Sequence, residues 1–150
     1  MRAALSHAYT MVASDAMPLT WLGAPADETW PLPPSALTHP RTAGTFARSF
    51  RRLVGDGGLS VAEFVRRASL LPAEVLKVAS GGAARKGTLA VGADADVVVF
   101  APDTFRDQAT YEASTRPSAG VRHLLVGGAP VIRDGALLLD ARPGRPARKA

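Results

Sequence analysis

Two glycines, Gly81-Gly82, split this chain into halves whose apolar residues follow different periods, and that split limits the folds open to it. Before them the apolar positions recur at helical spacing; after them they gather in short runs between turn signals. Phe46, Phe50, Leu53 and Val54 fall at i, i+4, i+7 and i+8 and form one stripe, with Arg48, Arg51 and Arg52 facing away. Gly55-Asp56-Gly57-Gly58 ends that helix. Ser60-Val61-Ala62-Glu63 reads as a capping box, in which hydroxyl and carboxylate satisfy each other's orphan backbone donors. It opens a second helix whose expected buried face is Val61, Phe64, Val65 and Ala68. Pro72 cannot sit inside that helix, but it suits the first turn of a third one running through Leu76 and Val78.

Beyond the glycines, Thr88 to Val91 reads as a strand, and Val97-Val98-Val99-Phe100 is a continuous apolar run of the buried-strand kind. Val121 to Val126 and Val131-Ile132 flank Gly127-Gly128, a pair that permits the positive φ angles of a tight hairpin. Asp134-Gly135 makes another turn before Ala136 to Leu139. Residues 101–120 form a polar connection with Pro102 and Pro117. The second half is therefore expected to be a small β module. Asp94 and Asp96 could suggest a metal pair but read instead as the turn leading into the Val97 strand, and His123 begins a strand. Gly55 to Gly58 is a turn between helices, not a phosphate loop, because no lysine follows it.

With no cysteine there is neither a disulfide framework nor a thiolate metal site. No run approaches the roughly 20 apolar residues that span a bilayer, and His7 and Ser14-Asp15 interrupt any signal-like core. A cytoplasmic protein that does not contact membranes is expected. The net charge of +5 suggests nucleic acid, but Arg142, Arg145, Arg148 and Lys149 supply four of those five charges from a Pro/Gly-punctuated tail. No aromatic residue is interleaved there to stack on bases, so a solvated end is expected and a nucleic-acid partner is not.

The residues from Ala8 to Ala13 suit a short buried strand, stopping at Ser14-Asp15. A Pro-rich loop from Met17 to Thr38 follows, containing Trp21 and Trp30, and reads either as a lid or as a surface excursion pinned by its tryptophans. His39-Pro40-Arg41 and Gly44-Thr45-Phe46 come next. An apolar strand ending in a carboxylate, then a polar loop, is how the last strand of a (β/α)8 barrel presents a catalytic acid/base. At 150 residues the chain is too short for a barrel of roughly 250. The expectation is the C-terminal part of a larger hydrolase. Read locally, Asp15 fits two roles, a proton-transfer group or a residue that caps a helix or fixes the loop. Ser14 is no nucleophile elbow, since the flanking glycines are missing.

The stretch from Val12 through Arg41 and Gly44-Thr45-Phe46 resembles the end of the barrel in the N-acyl-D-amino-acid deacylases (D-aminoacylases) of the metal-dependent amidohydrolase superfamily. Lys86-Gly87-Thr88-Leu89, Gly92 and Ala95-Asp96-Val97-Val98-Val99-Phe100 resemble the return of such enzymes to their β-sandwich. Val121-Arg122-His123-Leu124-Leu125-Val126-Gly127-Gly128 resembles its closing hairpin, and Arg142-Pro143-Gly144-Arg145 the family's usual ending. The resemblance implies an α/β plus β chain: residues 1–80 as the end of an amidohydrolase barrel, 81–141 as a β-sandwich segment, and 142–150 as a basic disordered tail. It implies hydrolysis of the amide of a small N-acyl amino acid, with zinc polarising the carbonyl and Asp15 acting as general base, then acid. Asp15 is also implied as a weak metal ligand. His39 and Arg41 match a motif near the mouth of the site, where an arginine either pairs with a substrate carboxylate or fixes the loop.

The chain departs from that pattern in several places. The only histidines are His7, His39 and His123, so the superfamily's His-x-His pair, its two later histidine ligands and its bridging cysteine or modified lysine have no counterpart. Zinc takes about three protein ligands, and one aspartate cannot hold it. Ala16 stands where glycine is common after the aspartate. The chain alone is expected to bind no zinc, to be inactive, and to be poorly soluble or molten. The alternatives are a non-catalytic relic or interaction module, completed by self-association or a separate upstream chain, and an amidohydrolase of cyclic amides like the dihydroorotases or hydantoinases.

Overall fold

The computed structural model describes residues 7–17 and 36–146. The Pro-rich stretch with Trp21 and Trp30, and Arg148 and Lys149 of the tail, lie outside the described residues.

Helix α1 (Arg41–Phe50) runs into a π-helical turn (Arg51–Gly55) and stops where Gly57 takes a φ of 74°. Its buried residues are Gly44, Ala47 and Phe50, whereas Phe46 is 42% exposed. The expected stripe is thus rotated. The cause is the 101–120 connection, which packs on the Gly44 side: a Cβ at Gly44 would lie 3.3 Å from the Asp107 Cβ. Ser118 ties the same connection to α1 by donating from Oγ to the Ala43 carbonyl at 3.0 Å.

A continuous right-handed run follows, comprising α2 (Val61–Val65), a π-helical turn (Arg66–Leu70) and α3 (Leu71–Leu76). Ser60 caps it, accepting from the Glu63 N–H at 3.1 Å, as the capping box requires. The reciprocal half is absent, because the Glu63 carboxylate is taken by Arg66 Nε at 2.9 Å and Arg67 Nε at 2.6 Å. Phe64 is buried as expected, but Val61 and Val65 are exposed and Arg67 is buried in their place. Pro72 does fall in the first turn of α3; the backbone there does not break, since the π turn absorbs the change of register. Val78 lies past the helix and is exposed.

Two strands expected from propensity do not form. Residues 10–17 are irregular and largely exposed, with one backbone bond to the helical layer, Val12 N–H to the Arg67 carbonyl at 3.1 Å. Thr88 to Val91 is also irregular, and both Leu89 and Val91 are strongly exposed. Both lack a neighbouring ladder among the described residues, and a strand without a ladder leaves its backbone to water.

The remaining strands do form. β1 (Val97–Phe100), β2 (Val121–Val126), β3 (Ala129–Arg133) and β4 (Ala136–Leu137) make one antiparallel sheet in the order β1-β2-β3-β4. Register is Val97 to Leu125 and Val99 to His123 in the first pair, and Leu124 to Ile132 in the second. Gly127 and Gly128 take φ of 55° and 82°, the twist a two-residue hairpin needs. β1 is not the buried strand its composition suggests, since Val98 and Val99 are 52% and 46% exposed. Phe50 joins the two halves: its ring meets Phe64, Phe100 and Phe105 at 5.2, 5.5 and 5.3 Å, each close to edge-to-face. Among the described residues no helix is long and apolar enough to cross a membrane.

Candidate functional site

The segment carrying Asp15 lies over the first turn of α1. Arg41, the first residue of that helix, donates from Nε to the Asp15 carbonyl at 2.7 Å, and its Nη2 lies 3.2 Å from the Asp15 carboxylate. Asp15 has a φ of 47°, left-handed backbone that aspartate tolerates better than most side chains. Its side chain is 89% exposed, so the carboxylate is reachable. The two residues singled out in the sequence, 26 positions apart, therefore meet.

His39 does a different job. Its Nδ1 accepts from the Arg41 N–H at 3.1 Å, satisfying one orphan donor at the start of α1. With Nδ1 accepting, the proton sits on Nε2, which faces the Tyr111 hydroxyl at 3.3 Å. The rings pack edge to face at 5.4 Å. Among the described residues these contacts hold His39 to α1 and Tyr111, not to Asp15.

Beside Arg41 opens a cavity of about 360 Å³, lined by His39, Gly44, Arg48, Asp107, Tyr111 and Glu112 among others. Arg41 and Arg48 sit seven positions apart on one face of α1, with the side chain-free Gly44 between them. The cavity is of small-molecule size. Arg51 pairs with Asp107 at 3.1 Å and steadies the far wall. Glu112 is held below the usual carboxylate range, chiefly by its own backbone N–H and then by the Thr110 hydroxyl.

A larger cavity of about 670 Å³ shares none of these residues. It is lined by Arg85, Lys86, Asp94, Asp96, Gly127 and Arg142, with other tail residues to Pro146. Arg85 and Lys86 pair with Asp94 at 2.9 Å each, Lys86 also pairs with Asp96, and Asp96 accepts from the Gly127 N–H at 2.7 Å. Both aspartates are held below their ordinary range, Asp94 first by Arg85 and Asp96 first by Lys86. This is a neutralised turn just before β1, and through the Gly127 N–H it also ties down the β2–β3 hairpin, a link the sequence did not indicate.

Among the described residues no group of three His, Cys, Asp or Glu side chains converges to hold a metal ion. Asp15 offers one carboxylate, against the roughly three ligands zinc takes, so these residues do not by themselves fit a zinc site. Three contributors went unnoticed in the sequence: Thr38, Thr42 and the buried Ser114, which carries Thr38 by accepting from its N–H at 3.0 Å. Two threonines at i and i+4 astride His39-Pro40-Arg41 were the available signal.

Residues 21–132 match the Amidohydrolase family, and the chain belongs to it. It is 44% identical over 119 residues to an N-acyl-D-glutamate deacylase of Alcaligenes xylosoxydans xylosoxydans, covering 79% of this chain and 23% of that protein. A D-aminoacylase of the same organism is 36% identical over 132 residues, covering 88% and 23%. The crystal structure of an N-acyl-D-glutamate deacylase from Bordetella bronchiseptica, complexed with zinc and a phosphonate mimic of the tetrahedral intermediate, superposes with a TM-score of 0.67 at 34% identity. That match covers 92% of this chain and 27% of the other. A D-aminoacylase with a binuclear metal centre gives a TM-score of 0.69 at 28% identity, covering 91% and 25%. The chain thus spans about a quarter of the length of these relatives.

Proposed function

We propose that this chain is the C-terminal portion of an N-acyl-D-amino-acid deacylase-like amidohydrolase, with residues 1–80 closing a (β/α)8 barrel and 81–141 contributing strands to a β-sandwich. The observation that carries the reading is the two-point hold of Arg41 on Asp15 in a chain of this family. Asp15 is the proton-transfer group. It takes a proton from the attacking water as the C–O bond forms, then returns it to nitrogen as the C–N bond breaks, so that the amine leaves neutral. Arg41 holds that carboxylate in place, and with His39 stands at the rim of the adjoining cavity, where a guanidinium suits a substrate carboxylate. The zinc of the Bordetella bronchiseptica relative has no complete ligand set among the described residues. Other parts of the assembled enzyme, in this chain or upstream of it, are the proposed source of its ligands.

The test is hydrolysis of N-acetyl-D-glutamate, N-acetyl-D-aspartate and N-acetyl-L-glutamate by the protein as its gene encodes it, followed by release of the free amino acid. Turnover of a D-substrate, with a loss on the order of a hundred- to ten-thousand-fold in Asp15→Asn, is expected. Equal activity in Asp15→Asn and the parent protein overturns the assignment.

A further inference from the structure

We infer, resting on the reading of Asp15 as the proton-transfer group, that Thr38 and Thr42 are positioning residues whose hydroxyls close a hydrogen-bond ring on Met17 and so fix the turn that carries Asp15. Met17 N–H donates to Thr42 Oγ1 at 3.1 Å, and Thr38 Oγ1 donates to the Met17 carbonyl at 3.1 Å. The two hydroxyl oxygens are 2.9 Å apart. Thr42 Oγ1 also lies 3.4 Å from the Met17 carbonyl, a longer contact than the one Thr38 makes. With the shorter bond made by Thr38, its single proton is committed to Met17 and Thr42 donates to Thr38. Each hydroxyl in that arrangement donates once and accepts once, so that each bond polarises the next.

Both ends of the ring rest on fixed structure. Thr42 belongs to the first turn of α1, and the Thr38 N–H is held by Ser114, whose side chain is fully buried. Arg41 fixes the Asp15 carbonyl from the same turn. The backbone is therefore gripped at Asp15 and again two residues on. That grip matters because Asp15 sits at a φ of 47°, a sparsely populated conformation that aspartate can visit and that surrounding contacts select. The carboxylate is 89% exposed and its ion pair with Arg41 is of the solvent-screened kind, so that pair alone does not aim it. Its direction also depends on the backbone, which Arg41 and the threonine ring hold together.

Thr38→Val and Thr42→Val keep the β-branched shape and remove the hydroxyl. In the protein as its gene encodes it, each is expected to lower kcat roughly ten- to hundredfold, the scale of an ångström-size misplacement, with KM within about twofold. Thr42→Val should also speed amide hydrogen exchange at Met17, whose N–H loses its acceptor, and Thr42→Ser should restore both kcat and protection. A role in folding alone predicts something else: a lowered Tm, KM and kcat failing together, and no rescue by serine; that pattern overturns the proposal. So does parental kcat in both valine variants while Asp15→Asn is inactive, a result that leaves the Asp15 assignment standing. Full activity in Asp15→Asn instead removes the parent reading, and the positioning role with it.

Discussion

Arg41 holds Asp15 at two levels, with Nε on the backbone carbonyl at 2.7 Å and Nη2 on the carboxylate at 3.2 Å. Only a guanidinium reaches both with fixed geometry; a lysine ammonium is a single point charge. Arg41→Lys is therefore expected to keep the charge and lose the aim. The pair is exposed enough that its stability contribution is under about 1 kcal/mol, so Tm should barely move. The proposed enzyme should lose at least roughly tenfold in kcat/KM, on the scale of a misplaced catalytic group. Steady-state kinetics beside a thermal melt checks this, and a large drop in Tm would make Arg41 a structural residue.

Phe50 is the joint between the helical layer and the sheet, with three aromatic neighbours drawn from α2, β1 and the connection after β1. Truncating a buried phenylalanine costs about 3–5 kcal/mol through lost contacts and an unfilled cavity. Phe50→Ala should cost in that range and Phe50→Leu clearly less. Urea unfolding of the encoded protein, followed through helical and sheet signals together, checks it. A Phe50→Ala cost below about 1 kcal/mol would show that the halves do not depend on this contact.

Those aromatics were legible from spacing, because Phe50 and Phe64 lie on helical stripes whatever packs against them. The hairpin turns were legible for a stricter reason: Gly127, Gly128, Asp134 and Gly135 all take positive φ, a demand few residues meet. What stayed hidden depends on distant partners. Thr88 to Val91 has strand composition but no ladder, and nothing in the helical spacing marks Arg67 for burial. It is buried because Glu63, one helical turn earlier, takes its Nε at 2.6 Å while residues 8–12 lie against the same helix. Asp15 and Arg41 were each identifiable by motif, yet their contact was not, and the Thr38–Thr42 ring closes on backbone atoms of Met17 that carry no sequence signature.

Glu63 makes a pH prediction. Hydrogen bonds from Arg66, then Arg67, hold its carboxyl at about 2 instead of 4.5. A group depressed in the folded state stabilises fully above its unfolded value, and that contribution disappears as pH falls from about 4.5 through about 2. The folded protein should accordingly lose Tm across that window. In Glu63→Gln the same acid-side loss should be shallower and the neutral-pH Tm lower, since the buried Arg67 loses its ion pair with the Glu63 carboxylate. Melting curves at a series of pH values check both; parallel pH profiles for the two proteins would refute the assignment.

β1 sits at the edge of the sheet, and that edge is open among the described residues. Ala101 N–H turns inward to the Gly120 carbonyl. By antiparallel alternation Val97 and Val99 also face β2, which leaves the N–H and C=O groups of Val98 and Phe100 pointing outward. Val98 and Val99 add half-exposed apolar side chains on the two faces. An open, apolar edge of this kind recruits another strand. In the relatives, which are about four times longer, there is chain to supply one. The 150-residue chain expressed by itself is therefore expected to self-associate, with light scattering that rises with concentration. Lysine is the residue natural edges use against such pairing, so Val98→Lys with Val99→Lys should suppress the scattering while leaving the helical signal intact. A chain that runs as a monomer and unfolds in one sharp transition without those lysines would show that the β1 edge is already protected.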